Sequence, residues 1–115
     1  MSTGAATPPP PQLSRGVNIE YKAFKRAFFT NSTDGVLFLL ATCVYPNNGF
    51  SIFFQEDSGK FNLMEQPPSG IFLNLDTFCV AVWPAKSVSH ESPVPSHVTI
   101  VDAEGEHRVH VEHWK

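Results

Sequence analysis

Charged residues are scarce in this sequence. They make up 17% of its 115 residues, against about 25% in a typical globular domain. The net charge is −3 and the isoelectric point lies near 5.9, whereas binding a phosphate backbone requires several lysines and arginines on one face. We therefore expect no nucleic-acid partner.

The sequence also lacks a recognisable targeting or membrane-spanning segment. Residues 1–12 have no basic region followed by an apolar stretch, as a secretory signal would have. The longest apolar run, residues 36–45, is about half as long as a helix that crosses a bilayer. We expect a soluble, cytoplasmic chain with no membrane partner.

Cysteine is rare, with Cys43 and Cys79 as the only two in the chain. Each lies in an apolar, β-prone stretch, where a free thiol behaves as a small buried hydrophobic group. A reducing compartment favours free thiols, and a disulfide between the two is the alternative. The immunoglobulin pattern, with a tryptophan between two cysteines, is excluded because Trp83 and Trp114 both follow Cys79.

Sequence patterns of enzymes are missing too. No G-x-S-x-G motif and no glycine-rich phosphate loop occurs in the chain. Ser89, His90 and Glu91 are the residue types of a catalytic triad, but adjacent residues cannot converge on one reacting atom. We expect neither enzymatic activity nor a cofactor.

Histidines recur every three residues near the carboxyl end, at His107, His110 and His113. Successive side chains of a strand point to opposite faces, so His110 would lie across the sheet from the other two. One ion cannot bind all three, and no metal site is predicted from them. The alternative is a metal site that uses His90, His97 or Glu91 of the preceding loop as extra ligands.

What the sequence does contain is one β domain behind a proline-rich leader. Residues 1–16 combine small residues with four prolines at positions 8–11, a composition that favours a solvated polyproline segment. We predict a disordered leader over 1–16 and a single domain over 17–115.

Short apolar runs alternate with turn residues along the rest of the chain, which is typical of a sandwich or a small barrel. Val17, Ile19 and Tyr21 alternate with polar residues as in a strand, while residues 21–29 also fit a short amphipathic helix. Further strands are predicted at residues 36–45, 50–55, 61–64, 71–75 and 77–83. The second of these should return antiparallel to the first after the turn at 46–49.

The last elements are a loop and a hairpin. Residues 84–96 carry prolines and serines without periodicity, which indicates a loop of a length typical of function or disorder, and a binding loop is expected there. Alternating valine and isoleucine on both sides of residues 102–105 predict a hairpin. The fold expected is an all-β antiparallel two-sheet sandwich of about seven or eight strands, of immunoglobulin-like size.

Two predicted strands are apolar on both faces, although a sandwich strand needs only one apolar face. The surplus predicts a non-catalytic binding or assembly module whose partner is a second copy or another protein. Intramolecular cover by residues 21–29 and an apolar ligand are alternatives. The possible interface residues are Phe38, Leu39, Phe50, Ile52, Phe53 and Phe54.

The other functional hypothesis is a small-ligand or carbohydrate-binding domain. Trp83 would supply a flat aromatic platform, and loop 84–96 would place polar groups beside it. The candidate ligand-binding residues are Trp83, His90 and His97.

Overall fold

The computed structural model describes residues 9–27, 35–88 and 96–113. This part of the chain is all β and contains no helix, which confirms the predicted class. The strands are β1 (Gln12–Leu13), β2 (Val17–Ala27), β3 (Gly35–Tyr45), β4 (Ser51–Asp57), β5 (Lys60–Gln66), β6 (Thr77–Val88), β7 (His97–Asp102) and β8 (Gly105–His113). The segment that fitted either a strand or a helix is a strand as far as Ala27. Residues 28–29 lie outside the described residues.

The strands form one curled sheet in the order β4, β5, β7, β8, β2, β3, β6, with β1 and β7 on the same edge of β5. The β5–β7 and β2–β8 pairs are parallel, and the other pairs are antiparallel. The sheet curls until β4 and β6 are in contact, although no ladder joins these two strands in the described residues. The architecture is a mixed half-barrel and not the expected antiparallel two-sheet sandwich. Apolar alternation reports which face is buried, but it does not encode the direction of the neighbouring strand.

Three local predictions also change. β4 pairs with β5 instead of β3, because β2 and β6 occupy both edges of β3. Residues 71–75 form no strand; Asn48 holds this segment, accepting a hydrogen bond from Leu73 N (2.8 Å) and donating its own N–H to Leu73 O (3.1 Å). The predicted loop 84–96 begins later, since β6 continues to Val88, and residues 89–95 lie outside the described part. The predicted final hairpin is confirmed as β7 and β8, with Asp102 opposite Gly105.

The core fills the concave side of the half-barrel. Every second residue of β3 points inward, and the buried residues of β5 and β7 lie among the same cluster. Leu39, Leu63 and Ile100 are completely buried. Truncating any one of them would leave a cavity in the core and destabilise the fold. The inward face of β3 is lined by Leu37, Leu39, Ala41, Cys43 and Tyr45.

The end of the predicted leader belongs to the β domain. Gln12 and Leu13 pair with β5, and Ser14 is buried. The buried carboxylate of Glu65 holds this segment: Oε1 accepts from Arg15 N (2.5 Å) and Tyr45 OH (3.1 Å), and Oε2 accepts from Gln12 Nε2 (2.8 Å). A buried carboxylate needs several donors to replace its lost hydration. Residues 12–15 are therefore held against β5, while residues 1–8 lie outside the described residues.

Candidate functional site

The convex side of β3 and β6 is an apolar surface, here called the outer β3–β6 face. On β6, Phe78 is 66% exposed, Val80 50% and Val82 59%. Their cross-strand partners on β3 are Val44, Thr42 and Leu40, which are partly exposed on the same side of the sheet. The face consists of Val36, Phe38, Leu40, Thr42, Val44, Phe78, Val80 and Val82. A contiguous apolar surface of this kind marks an interaction site more often than isolated exposed residues do.

A shallow depression of about 200 Å³ lies on this face beside the Phe78 ring. Leu40, Thr42 and Phe78 line it from β3 and β6, and Glu20 and Lys22 of β2 form its polar side. The β2–β3 register explains why these residues line the depression together, because Glu20 lies opposite Thr42 and Lys22 lies opposite Leu40. The outer β3–β6 face thus combines a protruding ring, a depression next to it, and one charge of each sign.

The segment that leads into β6 adds further exposed apolar side chains. Ile71, Leu73 and Leu75 all face solvent. The backbone of this segment is fixed by Asn48, and Thr77 Oγ1 donates a hydrogen bond to Leu75 O (2.9 Å). Exposed apolar side chains therefore also occur in the segment that precedes β6.

The structure separates the six predicted interface residues. Leu39, Ile52 and Phe54 are buried in the core of this chain, so their surfaces face other parts of the same molecule. Phe50 is half-buried and stacks on Tyr45, with ring centroids 4.4 Å apart. Phe53 faces solvent from β4, and Phe38 alone belongs to the outer β3–β6 face.

The residues of the ligand-binding hypothesis do not come together in the described structure. Trp83 packs on the core and meets Phe61 edge to face at 5.3 Å. Its indole Nε1 is buried, with no hydrogen-bond partner among the described residues. His97 begins β7, with its ring 5.3 Å from that of His110; partial burial and the charges of Arg108 and His110 hold the pKa of His97 below its usual value. His90 and Glu91 lie outside the described residues.

A polar site at the end of the half-barrel was not predicted, and we call it the hairpin cluster: Tyr21, Asp102, Glu104 and His107. Asp102 is only 2% exposed and ends β7 on its inward face. Asp102 Oδ2 accepts a hydrogen bond from Tyr21 OH (2.6 Å), and Oδ1 accepts one from Glu104 N (2.8 Å). His107 Nε2 lies 2.8 Å from Asp102 Oδ2, and the His107 ring packs on Tyr21 at 5.4 Å.

Protonation states in the hairpin cluster follow from these contacts. Burial acts to raise the pKa of Asp102, but the hydrogen bonds from Tyr21 and the Glu104 backbone, together with the adjacent imidazole of His107, outweigh it, and this pKa lies below its usual value. Burial, followed by the bond to Asp102, raises the pKa of Tyr21. Asp102 is thus ionised at neutral pH, and Tyr21 remains a protonated donor.

The hairpin cluster borders a cavity of about 290 Å³ that Arg15, Gly16, Val17, Asn18 and Ile19 line from the other side. Asn18 has φ 53° at an irregularity in β2, a left-handed conformation that asparagine tolerates better than most residues. One ligand atom each from Asp102, Glu104 and His107 lies within 4.8 Å of the others. These residues could hold a metal ion.

One signal in the sequence could have revealed the hairpin cluster. Val98, Ile100 and Asp102 lie on the same face of β7, and all three are buried. An acidic residue on the buried, apolar face of a strand requires hydrogen-bond donors within the protein. Interpreting Asp102 only as a turn residue hid this requirement, because its donor Tyr21 is remote in sequence.

Cys43 and Cys79 are free thiols on directly opposed positions of β3 and β6. Both lie on the concave side, and burial raises the pKa of Cys43 to about 11. The prediction of buried free thiols holds in this structure.

Comparisons with protein-family models, with curated proteins and with solved structures gave no match to this chain. Among the described residues, no helix has the length and apolar character needed to cross a membrane. The outer β3–β6 face and the hairpin cluster are the two features of the described residues that bear on function.

Proposed function

We propose that this chain is a non-catalytic assembly module that forms a homodimer through its outer β3–β6 face. The observation that carries the proposal is the row of exposed apolar side chains on β6, at Phe78, Val80 and Val82. Covering apolar surface contributes about 25 cal/mol for each Å² removed from water. A twofold dimer covers this row in both copies at once.

A second copy fits the face because the face is complementary to itself. The Phe78 ring protrudes beside a depression lined by Leu40 and Thr42. In a twofold dimer, the ring of each copy fills the depression of the other. Aromatic side chains placed in a partner's pocket are the usual main contributors to interface stability.

The charges at the edge of the face agree with this arrangement. Glu20 and Lys22 lie on the same side of β2, next to the depression. Under a twofold axis, the acid of one copy faces the base of the other, whereas a face with charges of one sign would repel itself. Exposed Leu73 and Leu75 enlarge the apolar area towards the roughly 800 Å² per partner of a standard interface.

Sedimentation velocity over a concentration series tests the proposal. We expect wild-type protein to pass from monomer to dimer as its concentration rises. The double variant Phe78→Ser with Val80→Thr should weaken association at least tenfold, because loss of an interface aromatic commonly costs about 2 kcal/mol or more. The matched control is Phe53→Ser, which removes an exposed aromatic from β4, outside the face; it should leave association unchanged. A wild-type monomer at every concentration would overturn the proposal.

Small-ligand binding at Trp83 is the alternative function. Its support is the buried indole Nε1 that lacks a partner among the described residues, since a ligand acceptor could satisfy that donor. A thermal-shift screen distinguishes the two functions: a ligand that stabilises the Phe78→Ser, Val80→Thr variant as well as wild type supports the alternative.

A further inference from the structure

We propose that Asp102, Glu104 and His107 bind a divalent transition-metal ion, for which Zn²⁺ is the experimental probe. The three residues lie at the β7–β8 turn, where Asp102 opposes Gly105 across the hairpin. Gly105 has φ 125°, a conformation that favours glycine, and it closes a turn short enough to bring the three ligand atoms together. The site depends on no part of the outer β3–β6 face.

The distances suit a single ion. Zinc lies about 2.0–2.2 Å from nitrogen and oxygen ligands, so two ligands of one ion are about 4 Å apart or less. The ligand atoms here lie within 4.8 Å of one another. Glu104 is exposed at the turn, and rotation of its side chain closes the remaining gap.

His107 also favours a metal ion by its position. Its Nε2 atom exposes less than 1 Å² and makes no hydrogen bond within the described part of the chain, although the side chain as a whole is 37% exposed. The atom lies 2.8 Å from Asp102 Oδ2. One metal ion could take both atoms as ligands.

The neighbours of these residues act as a supporting shell. Tyr21 OH and Glu104 N hold the two oxygens of Asp102, and the Tyr21 ring packs on the imidazole of His107. Groups of this kind fix the orientation of metal ligands and commonly change metal affinity about 10–100-fold.

The chemistry of the donors selects the class of ion. One imidazole nitrogen with carboxylate oxygens suits zinc and its transition-metal neighbours, whereas magnesium and calcium prefer oxygen ligands alone. The cavity of about 290 Å³ leaves room for water to complete the coordination. Arg15 also lines this cavity and its positive charge would repel a cation. The site has two carboxylates, so the charge around it favours a cation despite Arg15.

Titration calorimetry of the chelator-treated 115-residue chain with Zn²⁺ tests the site. We expect one ion per chain, with affinity lowered at least tenfold in Glu104→Gln and in His107→Gln. Glu104→Gln alters an exposed turn residue and should not change the fold. Tyr21→Phe, which removes a positioning residue, should weaken binding by a smaller factor.

The matched control is His110→Gln, on the outward face of the same strand, β8. It should leave zinc affinity unchanged, although His110 lies close to His97. Absence of binding by wild-type protein would overturn the proposal. Equal affinities in wild type, Glu104→Gln and His107→Gln would do so too, as would loss of binding in His110→Gln alone.

Discussion

Two regions of this molecule differ from the usual distribution of side chains. The outer β3–β6 face exposes apolar residues to solvent, and the interior buries acidic residues. Phe78, Val80 and Val82 face solvent, while Glu65 and Asp102 are each only 2% exposed. Apolar residues are normally the buried class, and acids are seldom buried without partners. The difference between the two regions teaches that register and curvature, more than residue type, decided which side chains face inward.

The alternation of side chains along β6 explains why its larger apolar residues are exposed on the outer β3–β6 face. Inward-facing Cys79 and Ala81 lie opposite Cys43 and Ala41 of β3, so small side chains meet on the concave side. A shift of one residue would bring Phe78 and the valines inside, where a tightly curled sheet has little room. Curvature accounts for small residues inside, but it does not require apolar residues outside, where threonine would serve the strand equally well.

Hydrogen bonding explains the polar side. Each buried carboxylate accepts from a tyrosine and from a backbone N–H. These bonds join segments far apart in sequence: Glu65 holds residues 12–15 against β5, and Asp102 joins β7 to β2. Buried acids therefore organise the fold here, while the exposed apolar residues are the ones that we propose for assembly.

The largest effect should follow from removing the acid that holds the amino-terminal segment. Glu65→Ala leaves Arg15 N without its acceptor and leaves Tyr45 OH with Ser14 Oγ as its remaining side-chain partner, which should lower the free energy of unfolding by about 3 kcal/mol. Glu65→Gln keeps an acceptor oxygen and should lose less. Urea unfolding measures both changes; a loss under about 1 kcal/mol in Glu65→Ala would show that the buried acid does not organise this segment.

The concave side of β3 and β6 should protect the thiols of Cys43 and Cys79 from reagents. With the pKa of Cys43 raised from 9.0 to about 11, its thiolate fraction at pH 8 falls roughly hundredfold, and burial hinders reagents further. Burial also raises the pKa of Cys79. A thiol-reactive dye should label native protein slowly and urea-unfolded protein rapidly. Native labelling at the rate of a free cysteine would contradict the assignment of both thiols to the concave side.

Tyr21→Phe should have a moderate effect that depends on pH. Loss of the bond to Asp102 should lower stability by about 1 kcal/mol near neutral pH. The pKa of folded Asp102 lies below its ordinary 3.8, so this carboxylate contributes stability above that value, which is lost as pH falls through the folded pKa. The gap between wild type and Tyr21→Phe should narrow below about pH 4. Unfolding curves over a pH series, with Glu112→Gln as the exposed control, measure this; a constant gap would mean that Asp102 does not mediate the effect.

The smallest effect on folding should come from the outer β3–β6 face. In a monomer at high dilution, Phe78→Ser with Val80→Thr should change the free energy of unfolding by no more than about 0.5 kcal/mol, as is usual for surface positions. Leu63→Ala, on the concave side, should cost about 3 kcal/mol. Chemical denaturation of both variants makes the comparison direct, and a large loss in the outer-face variant would mean that these side chains support the fold itself.

The sequence pattern located most of the strands correctly, but it did not predict which strands pair with each other in the sheet. The alternation of Val17, Ile19 and Tyr21 gave β2, and the turn at 102–105 gave the β7–β8 hairpin. The β3–β4 pairing failed because adjacency in sequence was taken for adjacency in the sheet. Among the proposed interface residues, Leu39, Ile52 and Phe54 proved to be core, since an apolar strand does not reveal which of its faces the rest of the chain covers.

The sequence by itself determined the all-β class, the main strands and the buried character of both cysteines, because these depend on local alternation and turn chemistry. Only the tertiary structure decided the parallel pairs, the curl of the half-barrel and the meeting of Tyr21, Asp102 and His107. These features depend on contacts between residues distant in the chain, and the strand pattern carries no information about such contacts. The same reason explains why the exposed row on β6 could be located only once its neighbours were known.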